Sequence, residues 1–266
     1  MERKLKAELL RELHKGPEPL LLANAWDAIS ARICEAEGFP AVATGSAGCA
    51  AVLGYPDGQK IPWAEMLTLV AAMARAVNVP VSADVEAGYG DAAGTATALW
   101  NCGVVGMNLE DMADGRLFPL KEAVANVKAI RAAVPEMVIN ARTELYLAKH
   151  GEAATRFERA VERLNAYFEA GADCLFAPGV TDGETIVRLA EAVKGPLNVL
   201  ATVGTPSIAQ LKRMGVRRVS FGSGPSRVAL GAYRKLARQI RDTGLFSSLA
   251  TEAMPYPEVQ RLLARA

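Results

Sequence analysis

Four carboxylates and one guanidinium stand where they could do chemistry together. Asp57 lies in the loop Gly54-Tyr55-Pro56-Asp57-Gly58. Asp84 and Glu86 follow one apolar run, Glu110 and Asp111 follow another, and Arg142, Thr143 and Glu144 follow a third. Acids gathered in one mouth repel and raise one another's pKa values unless a cation neutralises them. An all-oxygen donor set suits Mg²⁺, or Mn²⁺ in its place, and not zinc. Mg²⁺ keeps several waters and takes one or two direct carboxylates, which leaves room for substrate oxygens. The expected metal set is therefore Asp84 with Asp57, Glu86 and Glu110.

Arg142 supplies the opposing charge. A guanidinium can grip a carboxylate or phosphate in a bidentate way, or it can be an ion-pair partner that holds the mouth together. The expected catalytic set is Arg142, Asp57 and Glu110. Gly45-Ser46-Ala47 reads either as a turn or as an amide-rich turn that meets a substrate carboxylate. Asp27 reads as a cap on the helix beginning at Ala28. His14 and His150 are the only histidines and lie away from these positions, so a histidine-based mechanism has little support.

These residues need elements to bring them together. Short apolar runs recur at Leu20–Ala23, Ala41–Thr44, Val79–Ala83, Val104–Leu109, Met137–Ala141, Asp173–Phe176, Leu197–Ala201 and Arg218–Phe221. They are rich in Val, Leu and Ile and mostly do not alternate, as strands buried on both faces should be. Between them, Ala28–Glu37, Trp63–Ala76, Thr95–Asn101, Pro119–Ala133, Ala154–Ala170, Asp182–Val193, Ser207–Met214 and Pro225–Thr243 carry apolar residues at helical spacing. Eight β–α units predict a single-domain (β/α)₈ barrel over residues 1–266, with 245–266 as a helical extension. An open doubly wound sheet is the alternative. In a barrel the active site lies at the C-terminal ends of the strands, and that is where the acids and Arg142 fall.

Composition narrows the function classes. The 266 residues are 51% apolar and 22% charged, ordinary for a globular protein. Lys+Arg number 30 against Asp+Glu 29, so the basic excess of a nucleic-acid binder is missing. No apolar run approaches the roughly 18 residues of a membrane span, and no secretory h-region follows the charged start. Cys34, Cys49, Cys102 and Cys174 lack CxxC spacing and sit among apolar residues. They read as reduced thiols of a cytoplasmic protein.

Several motifs, taken in order, carry a resemblance. They are Thr44-Gly45-Ser46-Ala47-Gly48, Gly54-Tyr55-Pro56-Asp57, Ala83-Asp84-Val85-Glu86-Ala87-Gly88-Tyr89-Gly90, Asn108-Leu109-Glu110-Asp111 and Ala141-Arg142-Thr143-Glu144. Together they resemble the isocitrate lyase/phosphoenolpyruvate mutase superfamily. The resemblance implies a barrel whose C-terminal helix is exchanged between subunits of a homodimer or homotetramer. It implies that Asp84 binds Mg²⁺ directly while Asp57, Glu86 and Glu110 hold its waters. Gly45, Ser46 and Ala47 would offer amides to the substrate carboxylate, and Arg142 would bind the substrate's far end or its oxo group.

The chain departs from the better-known members. Lyases of this type carry a Lys-[Lys/Arg]-Cys-Gly-His loop after the fourth strand. Here the segment reads Met112-Ala113-Asp114-Gly115-Arg116-Leu117-Phe118-Pro119-Leu120, with no Cys and no His. The Lys and Asn of the mutase gating loop have no equivalent. Ala177 stands where the mutase has a His, and the lyase Glu is missing there too. The expected activity is a Mg²⁺-dependent lyase or decarboxylase on a small 2-oxo or 2-hydroxy dicarboxylic acid, through an enolate. Phosphonopyruvate P–C chemistry and an oxo-acid-binding barrel with little catalysis are the alternatives. Tyr55, Tyr89 and Glu144 are the candidate general acids.

Overall fold

The computed structural model describes residues 2–264. Eight parallel strands close into a barrel: β1 (Leu20–Ala25), β2 (Val42–Thr44), β3 (Val81–Asp84), β4 (Gly106–Glu110), β7 (Val138–Arg142), β8 (Cys174–Phe176), β9 (Leu197–Leu200) and β10 (Arg218–Ser220). Strand β10 pairs back onto β1, with Leu20 opposite Arg218. All eight expected runs become strands, within a few residues at their ends. The expected (β/α)₈ fold is the observed one.

Register decides which side chains enter the lumen. Side chains opposite each other on neighbouring strands share a face, and the face alternates along each strand. Asp84 stands opposite Asn108, Asn108 opposite Asn140, and Glu110 opposite Arg142. Arg142 stands opposite Phe176, and Asn198 opposite Arg218. The lumen therefore has a polar middle (Ser82, Asn108, Asn140, Asn198, Arg218) beneath a charged mouth (Asp84, Glu110, Arg142). Its floor is apolar, with Leu20, Leu22 and Val138 buried against Ala7 and Leu10.

Ala7 and Leu10 come from helix α1 (Arg3–Leu13), which no expected element covers. It lies across the N-terminal end of the barrel and plugs it. Arg11 ties it down: Nε donates to Asp173 at 2.7 Å and Nη2 to the Glu136 carbonyl at 3.0 Å. Gly106 is required beneath the plug, because a Cβ there would sit 2.7 Å from Leu10. His14, which follows this helix, is buried with Nδ1 on the Leu10 carbonyl at 2.7 Å, far from the mouth as its position predicts.

A second unexpected helix, α3 (Ser46–Val52), starts directly after β2. The helix α2 (Ala28–Ala36) opens with Asp27, whose carboxylate accepts from Ser30 N at 2.8 Å while Ser30 Oγ accepts from Asp27 N. Asp27 is thus a cap. Residues Met112–Ala113 (β5) and Arg116–Leu117 (β6) form an antiparallel hairpin. Its turn, Asp114-Gly115, has φ of +47° and +75°, the two left-handed residues of a primed hairpin turn. Helices α4 (Trp63–Ala76), α5 (Ala92–Asn101), α6 (Leu120–Ala133), α7 (Arg156–Glu169), α8 (Gly183–Ala192) and α9 (Ile208–Arg213) alternate with the barrel strands, and at the other end α10 (Gly224–Thr243) is followed by α11 (Ser247–Thr251) and α12 (Tyr256–Leu263). Helix α12 returns to α2 of its own chain, where Arg32 Nε donates to the Leu262 carbonyl at 2.6 Å. Among the described residues, no helix is long and apolar enough to cross a membrane, and all four cysteines are unpaired.

Candidate active site

The C-terminal mouth encloses a cavity of about 280 Å³. Gly45, Ser46, Ala47, Asp57, Asp84, Glu86, Glu110 and Arg142 all line it, so the residues singled out in the sequence meet there. Asn24, Asn108, Glu144, Phe176 and Ser220 line it too. Glu144 is one of the expected general acids, and strand-end position also points to Asn24. Asn108 lies one turn of the pleat below Glu110, and only barrel register reveals that it faces inward.

Asp84 ends β3 and is buried. Its backbone N–H donates to Thr44 Oγ1 at 2.9 Å. Its Oδ2 accepts from Ser46 Oγ at 3.1 Å and Ser46 N at 3.3 Å. Its Oδ1 is buried without a hydrogen-bond partner among the described residues. An ionised carboxylate oxygen left so costs free energy unless something not yet present satisfies it. Gly45 does not offer its amide as expected: that N–H donates to the Ala25 carbonyl at 3.2 Å. Ser46 spends its amide and hydroxyl on Asp84, so the free amide at this edge is that of Ala47 in the first turn of α3. Gly48 allows this approach, since a Cβ would lie 3.0 Å from Trp26 and 3.2 Å from Ser226 Oγ.

Asn24 supports the same edge. Its Nδ2 donates to the Thr44 carbonyl at 2.8 Å, and its Oδ1 accepts from Phe221 N and Gly222 N at 2.7 and 2.9 Å. Strand ends β1, β2 and β10 are thereby clamped together.

Glu86 is buried at φ +51°, a left-handed backbone that non-glycine residues seldom adopt. Such strain persists where surrounding structure imposes it, often at functional sites. Burial, aided by the charges of Asp84 and Asp57, pushes the Glu86 carboxyl up to about 7. Burial also raises Glu110, with Asp84, Glu144 and Glu86 adding to the rise against the pull of Arg142. Asp57 is exposed on the rim. Carboxyls driven upward by burial and by each other form a place where a cation would be favourable.

Arg142 is ion-paired with Glu110 at 2.7 Å and with Glu144, and its guanidinium lies over the Phe176 ring at 5.5 Å. Burial opposes its charge, but Glu110 and Glu144 outweigh that and keep it protonated. The ion-pair reading of Arg142 is therefore what the geometry displays, with Nη2 outside those two pairs. Among the general-acid candidates, Tyr55 turns away to Glu65 at 3.0 Å, and Glu144 is held by Arg142. Tyr89 OH is buried without a partner and its ring packs on Trp63 at 5.1 Å. Asp111 leaves the site: Arg163 Nε and Tyr167 OH each donate to its Oδ2 at 2.7 Å.

A family model described as phosphoenolpyruvate phosphomutase matches residues 10–241. The chain belongs to that family. With it come the isocitrate lyase/phosphoenolpyruvate mutase superfamily and the motifs that resemble it. The chain is 34% identical to an oxaloacetate decarboxylase of Pseudomonas fluorescens, over 84% of this chain and 80% of that protein. It superposes on a crystal structure described as a putative lyase/mutase from Burkholderia cenocepacia with TM-score 0.90 at 36% identity, covering 99% and 97% of the two chains. A phosphonopyruvate hydrolase solved with oxalate and Mg²⁺ shares the fold at TM-score 0.86 and 24% identity, over 97% and 94%. Relatives of this chain thus include proteins named as a phosphoenolpyruvate phosphomutase, a 2-methylisocitrate lyase and an oxaloacetate decarboxylase.

Proposed function

We propose that this chain is a Mg²⁺-dependent lyase, cleaving a C–C bond or decarboxylating a small 2-oxo or 2-hydroxy dicarboxylic acid through an enolate. The observation that carries this reading is the buried, unpartnered Oδ1 of Asp84 among raised carboxyls in a cavity of substrate size. The donor set fits a hard cation. Among the described residues, no three His, Cys, Asp or Glu side chains come together to enclose an ion directly. That suits an ion held by Asp84, with Asp57, Glu86 and Glu110 acting through its waters. When bound, the cation would supply Lewis-acid polarisation of the substrate's 2-oxygen. The Mg²⁺ in the phosphonopyruvate hydrolase structure, and the oxaloacetate decarboxylase relative, support the assignment.

The chain's own residues divide the remaining work. Ser46 holds Oδ2 of Asp84, which leaves Oδ1 for the cavity. The Ala47 amide faces the carboxylate end of the substrate, while the Ser46 amide is held by Asp84. Arg142, fixed by Glu110 and Glu144, stabilises the negative charge that develops on the enolate oxygen. Phe176 covers its face and excludes water there. The short hairpin carries no group fitted to the lyase proton donor's role, which favours decarboxylation or a reaction whose proton comes from solvent.

The test is turnover of oxaloacetate, isocitrate, methylisocitrate and phosphonopyruvate, each with Mg²⁺ and with EDTA. We expect loss of acid substrate that EDTA abolishes and Mg²⁺ restores. Asp84→Ala should lower turnover by a factor of about 10²–10³ or more. Wild-type rates in that variant would sink the metal assignment. Phosphate release from phosphonopyruvate would move the reading to P–C chemistry, and tight oxo-acid binding without turnover would make the chain a binding barrel.

A further inference from the structure

Asn108 and Arg218 lie below the charged mouth of Asp84, Glu110 and Arg142. Arg218 is 1% exposed, in the middle of the lumen, and forms no ion pair among the described residues. Its Nη2 donates to Asn108 Oδ1 at 3.2 Å, while Nε and Nη1 have no partner among the described residues. Asn140 Nδ2 donates to the same Asn108 oxygen at 2.8 Å. A buried, unpaired guanidinium is costly, so its position demands a reason.

The orientation of an Asn amide is usually ambiguous, because its oxygen and nitrogen look alike. Here chemistry settles it. A guanidinium has five donors and no acceptor, so the Asn108 atom that faces Arg218 must be the oxygen. The nitrogen then points the other way. Asn108 is 5% exposed, lines the mouth cavity, and stands opposite Asp84 on the neighbouring strand. Among the described residues nothing accepts a hydrogen bond from its Nδ2.

We infer that Asn108 is a substrate-binding residue whose Nδ2 donates to a substrate oxygen on the cavity floor, and that Arg218 is a positioning residue that holds the amide in that orientation from beneath. This rests on the oxo-acid reading above. The site would then grip an anionic substrate with fixed donors on two sides: the Ala47 amide and the Asn108 floor. A donor on the floor favours a planar carboxylate or enolate oxygen and discriminates against a substrate that presents a hydroxyl hydrogen or a methyl group there.

The experiment is calorimetric titration of oxalate, with saturating Mg²⁺, into the full chain and four variants: Asn108→Asp, Asn108→Ala, Arg218→Met and the Asn108→Ala/Arg218→Met pair. Asn108→Asp keeps an oxygen for Arg218 and Asn140, so the barrel interior is preserved, but it turns an acceptor toward the ligand. We expect it to weaken oxalate by more than a hundredfold. Asn108→Ala, which only deletes the donor, should cost roughly tenfold to a hundredfold. Arg218→Met should weaken oxalate in the wild-type background and add nothing in the Asn108→Ala background, as befits a residue that acts through another. Should Asn108→Ala fail to fold, Asn108→Asp carries the test. Oxalate affinity within twofold of wild type in the folded Asn108 variants overturns the inference and leaves the lyase reading standing. Equal, multiplying losses from Arg218→Met in both backgrounds overturn the positioning role. A wild-type chain that binds no oxalate with Mg²⁺ rejects the lyase reading, and this inference with it.

Discussion

Glu110 ends β4 facing the cavity, and Asp111, one residue on, turns its carboxylate toward Arg163, Tyr167 and the Glu144 amide. In the sequence the two look alike: adjacent acids after an apolar run. Their separation comes from a partner some fifty residues downstream, Arg163, whose presence no local pattern announces. The difference has a measurable consequence. Asp111→Ala leaves Arg163 buried without its acid, so the urea midpoint should fall by the equivalent of about 3–5 kcal/mol. Asp84→Ala removes a carboxylate from a crowd of carboxylates, and its unfolding midpoint should stay near wild type while turnover is lost. The positions of Asp84, Glu86, Glu110 and Arg142 were legible because each stands at the end of an apolar run. Asn108 was not legible as a site residue, because it stands inside one.

At the scale of elements, the barrel strands announce themselves because burial on both faces leaves a continuous apolar run. Helix α3 does not, since Ser46-Ala47-Gly48-Cys49-Ala50-Ala51-Val52 is mostly small residues whose helical form is set by close packing on Trp26 and Ser226. Helix α1 was missed for another reason. Its partners are strand residues scattered from Leu20 to Val138, so the burial that fixes it is entirely long-range. This plug carries a pH signature. Burial, reinforced by the charge of Arg218, lowers the His14 pKa from 6.5 to about 4. As pH falls below 6.5 the unfolded chain takes up a proton that the native chain refuses until about 4. Stability is therefore present above 6.5 and lost as pH falls toward 4, by about 3 kcal/mol in full. A His14→Gln variant should show a flatter decline of urea midpoint over that window than wild type; identical slopes would remove His14 from the account.

For the molecule as a whole, the C-terminal helices raise the question of assembly. Helix α10 has Ser226 as its buried residue, while Val228 is 73% and Tyr233 71% exposed, with Leu230 between them. Leu245, Phe246 and Leu249, which follow α10 in the chain, are exposed as well, and α12 packs on α2. We propose that a second copy of this chain covers α10, giving a homodimer or a homotetramer built from such dimers. A symmetric partner would bury the same face on both copies. Light scattering at micromolar concentration should give a dimer or tetramer, and Val228→Asp with Tyr233→Asp should shift it toward monomer. A monomeric wild type would end the proposal.

The plug also bears on how the chain is made. Arg11 reaches Asp173 across 162 residues of sequence. At about 5–20 residues per second, a ribosome needs roughly ten to thirty seconds to reach the second residue after the first. Until then α1 has no acid to hold its arginine, although its apolar partners from Leu20 to Val138 are already made. The helix that precedes the whole barrel in the chain thus gains its charged anchor only as the sixth barrel strand begins.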